Sequence, residues 1–195
     1  MMSERRKEII TYFRQMDRSF FMDTNKDLAT FDHALPIGFE QTISQPSLVL
    51  EMTLALDLEP SQKVLELGTG SGFQTALLAN FSKTVYTIER IEELHHRSKD
   101  RLAQLGLDNI HFKLGDGSAG WKERAPFDRI MVTAAATEVP KELIEQLNHG
   151  GKMVIPVGSS ASQELRLIEK DAKGKIHSTL LNHVLFVTLK GKYEM

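Results

Sequence analysis

From residue 63 onward, short apolar runs alternate with amphipathic stretches, and this alternation predicts the fold class. Residues 63–67, 84–88, 110–114, 128–133 and 152–156 have the composition of buried strands. Between them, residues 74–80, 91–105 and 140–147 carry apolar positions at helical spacing. Strands separated by helices pair in parallel through right-handed crossovers, so a doubly wound α/β sheet is expected. The tail is different. Residues 164–169 and 178–189 are both β-rich and flank Asp171-Ala172-Lys173-Gly174-Lys175, which predicts an antiparallel pair closing one edge of the sheet. At the other end, Ile9, Ile10, Phe13 and Met16 predict one amphipathic helix, followed by a polar break at 23–27. Leu35-Pro36-Ile37-Gly38 reads as an extended turn. Pro46 suits the first position of a helix running to about residue 58, with Ser44 or Gln45 at its cap. No repeat or linker divides the chain, so one domain is expected, with N-terminal helices and a loop (1–60), a core (61–158) and a β edge (159–195).

Composition narrows the class. With 24 basic and 26 acidic residues in 195, the net charge of −2 advertises no general affinity for nucleic acid or anionic membrane. The absence of cysteine excludes disulfides, thiol catalysis and Cys-ligated zinc, and fits a reducing compartment. No secretory signal and no apolar run of bilayer length is present, so a cytoplasmic protein is expected. His95 and His96 lie on a predicted helix with no third ligand nearby, and no metal site is expected.

The chemistry begins at Val64-Leu65-Glu66-Leu67-Gly68-Thr69-Gly70-Ser71-Gly72, a glycine-rich turn between a buried strand and a helix. Such a turn lets backbone approach a ligand where a side chain would collide. The dinucleotide fingerprint needs its third glycine where Phe73 stands, which weakens a pyrophosphate reading. Glu66, at the strand end, would repel pyrophosphate and suit a cation such as the ammonium of a methionine moiety. Glu89 ends the next strand, about 20 positions beyond the turn, where an acid accepts ribose hydroxyls. Asp116, within Gly115-Asp116-Gly117, is placed to accept from an adenine amino group. Each acid alone is equally a capping carboxylate. Three at the ends of consecutive strands converge on the edge where open α/β sheets bind ligands.

With these residues in view, the chain resembles the protein-L-isoaspartate (D-aspartate) O-methyltransferase family over about residues 29–158. The resemblance is carried by Leu35-Pro36-Ile37-Gly38, Gln41-Thr42-Ile43-Ser44-Gln45-Pro46, the glycine turn with Phe73-Gln74-Thr75-Ala76, Ile88-Glu89-Arg90 and Gly115-Asp116-Gly117. Trp121, Ala125-Pro126-Phe127-Asp128-Arg129-Ile130, Val132-Thr133-Ala134-Ala135-Ala136 and Ile155-Pro156-Val157-Gly158 extend it. It implies a mostly parallel seven-stranded, Rossmann-like methyltransferase sheet with antiparallel C-terminal edge strands. The implied cofactor is S-adenosyl-L-methionine, and the implied acceptor is the carboxylate of isoaspartyl proteins or peptides. By the same resemblance Ser44 is the active-site residue, with Thr42, Ile43, Gln45 and His33 as expected substrate contacts. Glu66, Gly68, Thr69, Gly70, Ser71, Gly72, Glu89, Arg90, Asp116, Gly117 and Thr133 are the expected cofactor residues. A monomer or weak dimer is expected.

The residue types agree with oxygen methylation. A carboxylate with a pKa near ~4 is already ionised at neutral pH and needs alignment, not a base. The Asn/Asp-Pro-Pro-aromatic loop of amine-directed enzymes is replaced by Thr133-Ala134-Ala135-Ala136. Three features depart from the family pattern. The N-terminal part is short, Glu40 stands where glycine is usual, and Leu185 and Thr188 stand where the family carries an arginine and a proline. They leave open another acceptor on the same scaffold, or a catalytically silent cofactor-binding protein.

Overall fold

The computed structural model describes residues 3–194. Helix α1 (Glu4–Gln15) begins at Ser3, whose hydroxyl accepts the Arg6 N–H and so satisfies one of the unpaired donors of the first turn. Two short 3₁₀ turns, Arg18–Phe21 and Lys26–Leu28, lead to strands β1 (Leu35–Gly38) and β2 (Gln41–Ile43) and then to helix α2 (Pro46–Leu56). The extended turn expected at 35–38 is thus one arm of an antiparallel hairpin in which Leu35 faces Ile43. Strand alternation on the other arm buries Ile43 and turns Thr42 and Ser44 outward.

The main sheet comprises β3 (Lys63–Leu67), β4 (Thr84–Glu89), β5 (Ile110–Leu114), β6 (Phe127–Val132), β7 (Leu147–Ser159), β8 (Ser162–Lys170) and β9 (Ile176–Val184). Helices α3 (Phe73–Phe81), α4 (Glu92–Gln104) and α5 (Lys141–Gln146) connect it. The spatial order is β5-β4-β3-β6-β7-β8-β9. The first five strands are parallel, and β8 runs antiparallel to β7 and β9. The chain moves outward from β3 to β5 and then returns to β6 on the opposite side of β3. That reversal opens a crevice at the carboxyl ends of β3 and β6.

Alternation divides the core between the two faces of the sheet. Val64, Val85, Met131 and Val154 pack with Ile9, Met52, Leu77 and Leu102 from α1 to α4. On the other face, Leu65, Leu67, Ile130 and Met153 pack with Leu143 of α5 and with Leu189 and Tyr193 of the tail.

Strands β3 to β6 lie within one residue of the spans their apolar runs predict; β7 and β9 differ. Strand β7 extends from Leu147 to Ser159 because its second half pairs with β8, Lys152 opposite Glu169 through Ser159 opposite Ser162. Strand β9 ends at Val184, and residues 185–189, expected to continue it, leave the sheet. The buried Gln163 amide replaces their ladder partners. Its Oε1 accepts the Phe186 N–H at 2.6 Å, and its Nε2 donates to the Phe186 carbonyl at 3.0 Å. The freed segment crosses the carboxyl ends of the strands, where Leu189 N–H donates to the Ala135 carbonyl and Ala135 N–H to the Val187 carbonyl, both at 2.8 Å.

Candidate active site

The crevice is a cleft at the carboxyl ends of the strands, partly open to solvent. Gly68, Thr69, Gly70, Ser71, Glu89, Arg90, Gly117 and Thr133 line it, with Thr42, Ile43 and Ser44 on the opposite wall. Gly68 and Gly70 have φ of +92° and +53°, the left-handed region that favours glycine. A Cβ on Gly70 would meet no protein atom closer than Ile37 Cδ1 at 3.8 Å, and one on Gly115 would meet nothing within 4 Å. Their missing side chains therefore leave ligand space open. Gly72 serves differently. It faces α4, where a Cβ would lie 3.2 Å from Leu102 Cδ1, so it permits helix packing and does not border the cleft.

Glu89 is 6% exposed, and its Oε2 accepts the Gly70 N–H while Oε1 accepts the Ile91 N–H, both at 2.9 Å. This carboxylate pins the glycine turn to the end of β4 and keeps further lone pairs toward the cleft. Asp116 is engaged at the rim. Its Oδ1 accepts Ser118 N–H at 2.8 Å, its Oδ2 accepts the Ser118 hydroxyl at 3.0 Å, and Gly191 of the tail packs over it. The backbone beside it, at Gly115 and Gly117, borders the cleft.

Glu66 corrects the sequence reading. It is fully buried beneath the turn, away from the cleft lining, and its Oε2 accepts the hydroxyls of Thr75 and Thr87, each at 2.6 Å. Thr87 in turn shares a 2.6 Å hydrogen bond with Thr69, so the acid supports the turn from below. Burial pushes its pKa up to about 8, against the lowering effect of the two threonine hydrogen bonds. At neutral pH the group is mainly uncharged and presents no anion to a ligand. Its Oε1 has no partner, a position a neutral carboxyl occupies at less cost than a carboxylate.

A pH dependence follows. Below about 4.5, the ordinary value, the carboxyl is protonated in both folded and unfolded chains. As pH rises toward about 8, the unfolded chain releases a proton that the folded chain retains, so stability falls through this window and levels off above it. Denaturant unfolding across the window should therefore show a downward slope in the native protein that Glu66→Gln removes. Equal slopes in the two proteins would contradict the assignment.

The opposite wall is the hairpin arm and the start of α2. Thr42 and Ser44 line both the cleft and an adjoining groove bordered by Gln45, Leu48, Glu51, Asn182, His183 and Leu185. Ser44 does not cap α2. Asp32 Oδ1 accepts the Ser47 N–H at 2.8 Å, and the other Asp32 oxygen accepts the Gln45 amide at 3.1 Å. Among the described residues the Ser44 hydroxyl has no protein hydrogen-bond partner. His33 is exposed, borders neither cavity, and leans its ring toward Phe31.

Four further positions on the cleft, Val187, Thr188, Leu189 and Lys190, belong to the tail segment that leaves the sheet. Thr188 and the 73%-exposed Leu185 therefore do border the two cavities, whereas Glu40 is exposed and borders neither. The φ of +57° at Glu40 lies in the left-handed region, where glycine is the residue of least strain. Among the described residues, no helix is long and apolar enough to cross a membrane.

A sheet that reverses at β3/β6, a glycine cradle under that reversal and an acid at the end of β4 form a site for a ribose-bearing cofactor, and the family to which the chain belongs makes it a methyltransferase that uses S-adenosyl-L-methionine. The chain belongs to the protein-L-isoaspartate(D-aspartate) O-methyltransferase family, whose profile it matches over residues 2–194. It is 55% identical over 167 residues to the protein-L-isoaspartate O-methyltransferase of Dictyoglomus turgidum, covering 86% of this chain and 76% of that one. A second relative, protein-L-isoaspartate O-methyltransferase 1 of Syntrophobacter fumaroxidans, is 44% identical over 188 residues, 96% of this chain and 87% of that one. Among solved structures, a protein-L-isoaspartate O-methyltransferase superposes with a TM-score of 0.85 at 25% identity, covering 98% of this chain and 63% of its own. The beta-aspartate methyltransferase of Plasmodium falciparum, in complex with S-adenosyl-L-homocysteine, superposes with a TM-score of 0.80 at 26% identity, covering 97% of this chain and 92% of its own.

Proposed function

We propose that this chain methylates the side-chain carboxylate of L-isoaspartyl or D-aspartyl residues in damaged proteins and peptides, the first step of their repair. The observation that carries this reading is the Ser44 hydroxyl, without a protein partner and shared between cleft and groove. When bound, S-adenosyl-L-methionine supplies an electrophilic methyl group on a sulfonium sulfur. Gly68, Gly70, Glu89 and Arg90 hold it along one wall, with Glu89 accepting the ribose hydroxyls. Gly115 leaves room for adenine, whose amino group the remaining lone pairs of Asp116 accept, while Gly117 lets the loop pack on Leu67 and Ile88. Thr69 and Thr133 hold the turn between them.

The acceptor carboxylate is ionised at neutral pH, so the residues facing it orient rather than deprotonate it. Hydrogen bonds from Thr42 and Ser44 hold one oxygen in line with the methyl group, while the tail across the cleft excludes water. The peptide flanking the acceptor runs through the groove beside Gln45 and Leu185. His33, remote from both cavities, takes no part in this reading.

Incubation with labelled S-adenosyl-L-methionine and an isoaspartyl peptide should give a base-labile methyl ester. Ser44→Ala should reduce kcat/KM for the peptide roughly 10- to 100-fold, the loss of one hydrogen bond to a charged group. Cofactor binding without ester formation would instead point to another acceptor on this scaffold, a reading that Leu185 and Thr188 favour by bordering the acceptor side. The net charge of −2 and the lack of cysteine support a cytoplasmic protein that acts on peptides and does not bind nucleic acid or membrane. A monomer or weak dimer completes the proposal, and light scattering tests it.

A further inference from the structure

Arg18, in the first 3₁₀ turn, is 5% exposed, and among the described residues it makes no ion pair. Its guanidinium is spent on backbone. Nη1 donates to the carbonyls of Ala29 at 3.2 Å and Phe31 at 3.1 Å. Nη2 donates to those of His33 at 2.8 Å, Ser44 at 3.1 Å and Ile43 at 3.4 Å. Burying a cation is costly, and desolvation lowers the pKa of Arg18, a shift that the nearby Asp32 carboxylate only partly opposes. An apolar side chain would fill the same space without that cost, so the carbonyls are what the site requires.

Those five carbonyls come from two places. Three lie on the loop ahead of the hairpin, and two lie at residues 43 and 44, where the hairpin hands over to α2. From the same loop, Asp32 reaches the other side of that handover and holds Ser47 N–H and the Gln45 amide. Residues 43–47 are thus gripped from below by Arg18 and from the flank by Asp32. The Ser44 hydroxyl alone is left outward.

Building on the function proposed above, we propose that Arg18 is the positioning residue of the acceptor site. Its planar fork fixes the Ser44 carbonyl, and through it the direction of the Ser44 and Thr42 hydroxyls, without touching substrate. The glycine turn and Glu89 lie on the other wall of the cleft and make no hydrogen bond with Arg18.

Lysine at this position keeps the charge but offers three donors from one point, too few and too concentrated to span five carbonyls. In Arg18→Lys, kcat for an isoaspartyl peptide should fall about 100-fold, the cost of roughly 1 Å of misplacement. The dissociation constant for S-adenosylhomocysteine should stay within about twofold, since the opposite wall is untouched. A double-mutant cycle with Ser44→Ala separates positioning from general stability. If Arg18 acts through Ser44, the two kcat losses are strongly non-additive; independent effects multiply.

Full peptide turnover in Arg18→Lys overturns the proposal. So does a parallel loss of cofactor affinity, or an additive cycle. Arg18→Gln, which keeps two donors without the charge, is the second variant. If neither variant folds while bound to S-adenosylhomocysteine, Arg18 is a folding residue and the proposal fails. Native protein that forms no ester with the peptide removes the functional reading itself, a result distinct from any of these.

Discussion

Replacing Glu89 with alanine should weaken S-adenosylhomocysteine binding at least about 100-fold, or ~2.7 kcal/mol, and lower stability as well, since the Gly70 and Ile91 N–H groups lose their acceptor. The side chain does two things at the end of β4. It accepts the Gly70 and Ile91 N–H groups, both at 2.9 Å, closing the turn, and in the function proposed above its remaining lone pairs take the ribose hydroxyls. Alanine leaves the Gly70 N–H unpaired and removes both acceptors from the ligand. Hydrogen bonds to a charged group contribute about 1.5–3 kcal/mol each, so losing two accounts for the expected magnitude. Glu89→Gln retains one acceptor oxygen and should fall between alanine and the native protein. Calorimetric titration decides the point, and an affinity within threefold of native would remove Glu89 from the ribose site.

The second large effect is on the fold. Gly68→Ala should cost about 3 kcal/mol of stability and take cofactor affinity with it. Two causes add here. The φ of +92° is strained for any residue with a Cβ, roughly 1–2 kcal/mol. A Cβ would also fall well inside contact distance of Thr133 Oγ1, an overpacking cost of about 1–3 kcal/mol. The Thr133 hydroxyl has little room to yield. It lies 2.9 Å from the Leu67 carbonyl and 2.7 Å from the Gly68 carbonyl, tying the end of β6 to the end of β3. The two causes separate in the double variant Gly68→Ala/Thr133→Ala, which removes the collision and keeps the backbone strain. Urea unfolding should show it more stable than Gly68→Ala alone. If Thr133→Ala restores nothing, the collision is not the cause.

Both effects arise where the chain reverses direction in the sheet, which is also where the sequence was most informative. Hydrophobic period places β3 to β6 within a residue, because the inner strands β3, β4 and β6 are mostly apolar at the positions they bury, while edge strand β5 shows the alternation of Ile110, Phe112 and Leu114 with His111 and Lys113. Glycines at 68 and 70 are equally legible, since few other residues tolerate their backbone angles. Glu66 shows the limit of that reading. Its place at the strand end suggested a charge beside the ligand, but which face of β3 it occupies, and how deeply, depends on α3 and β4 packing over it. Buried among Thr69, Thr75 and Thr87, it becomes a neutral support for the turn.

The tail makes the same point at longer range. Nothing local distinguishes residues 185–189 from a continuing strand. The segment leaves the sheet because Gln163, on a neighbouring strand, takes the hydrogen bonds of Phe186.

By itself the sequence determined the parallel core, the glycine cradle and the acid at the end of β4, because each depends on local backbone geometry or on a period of two or 3.6, whereas the serine-bearing arm was legible only through its likeness to a family. Tertiary structure alone decided the protonation of Glu66, the release of Ser44 from helix capping by Asp32, the path of the tail over the cleft and the grip of Arg18 on residues 43 and 44. Those outcomes depend on burial and on partners 11 to 26 positions away or more, as the Arg18 contacts illustrate. Desolvation and hydrogen-bond satisfaction are properties of the assembled fold, and no short window of sequence contains them.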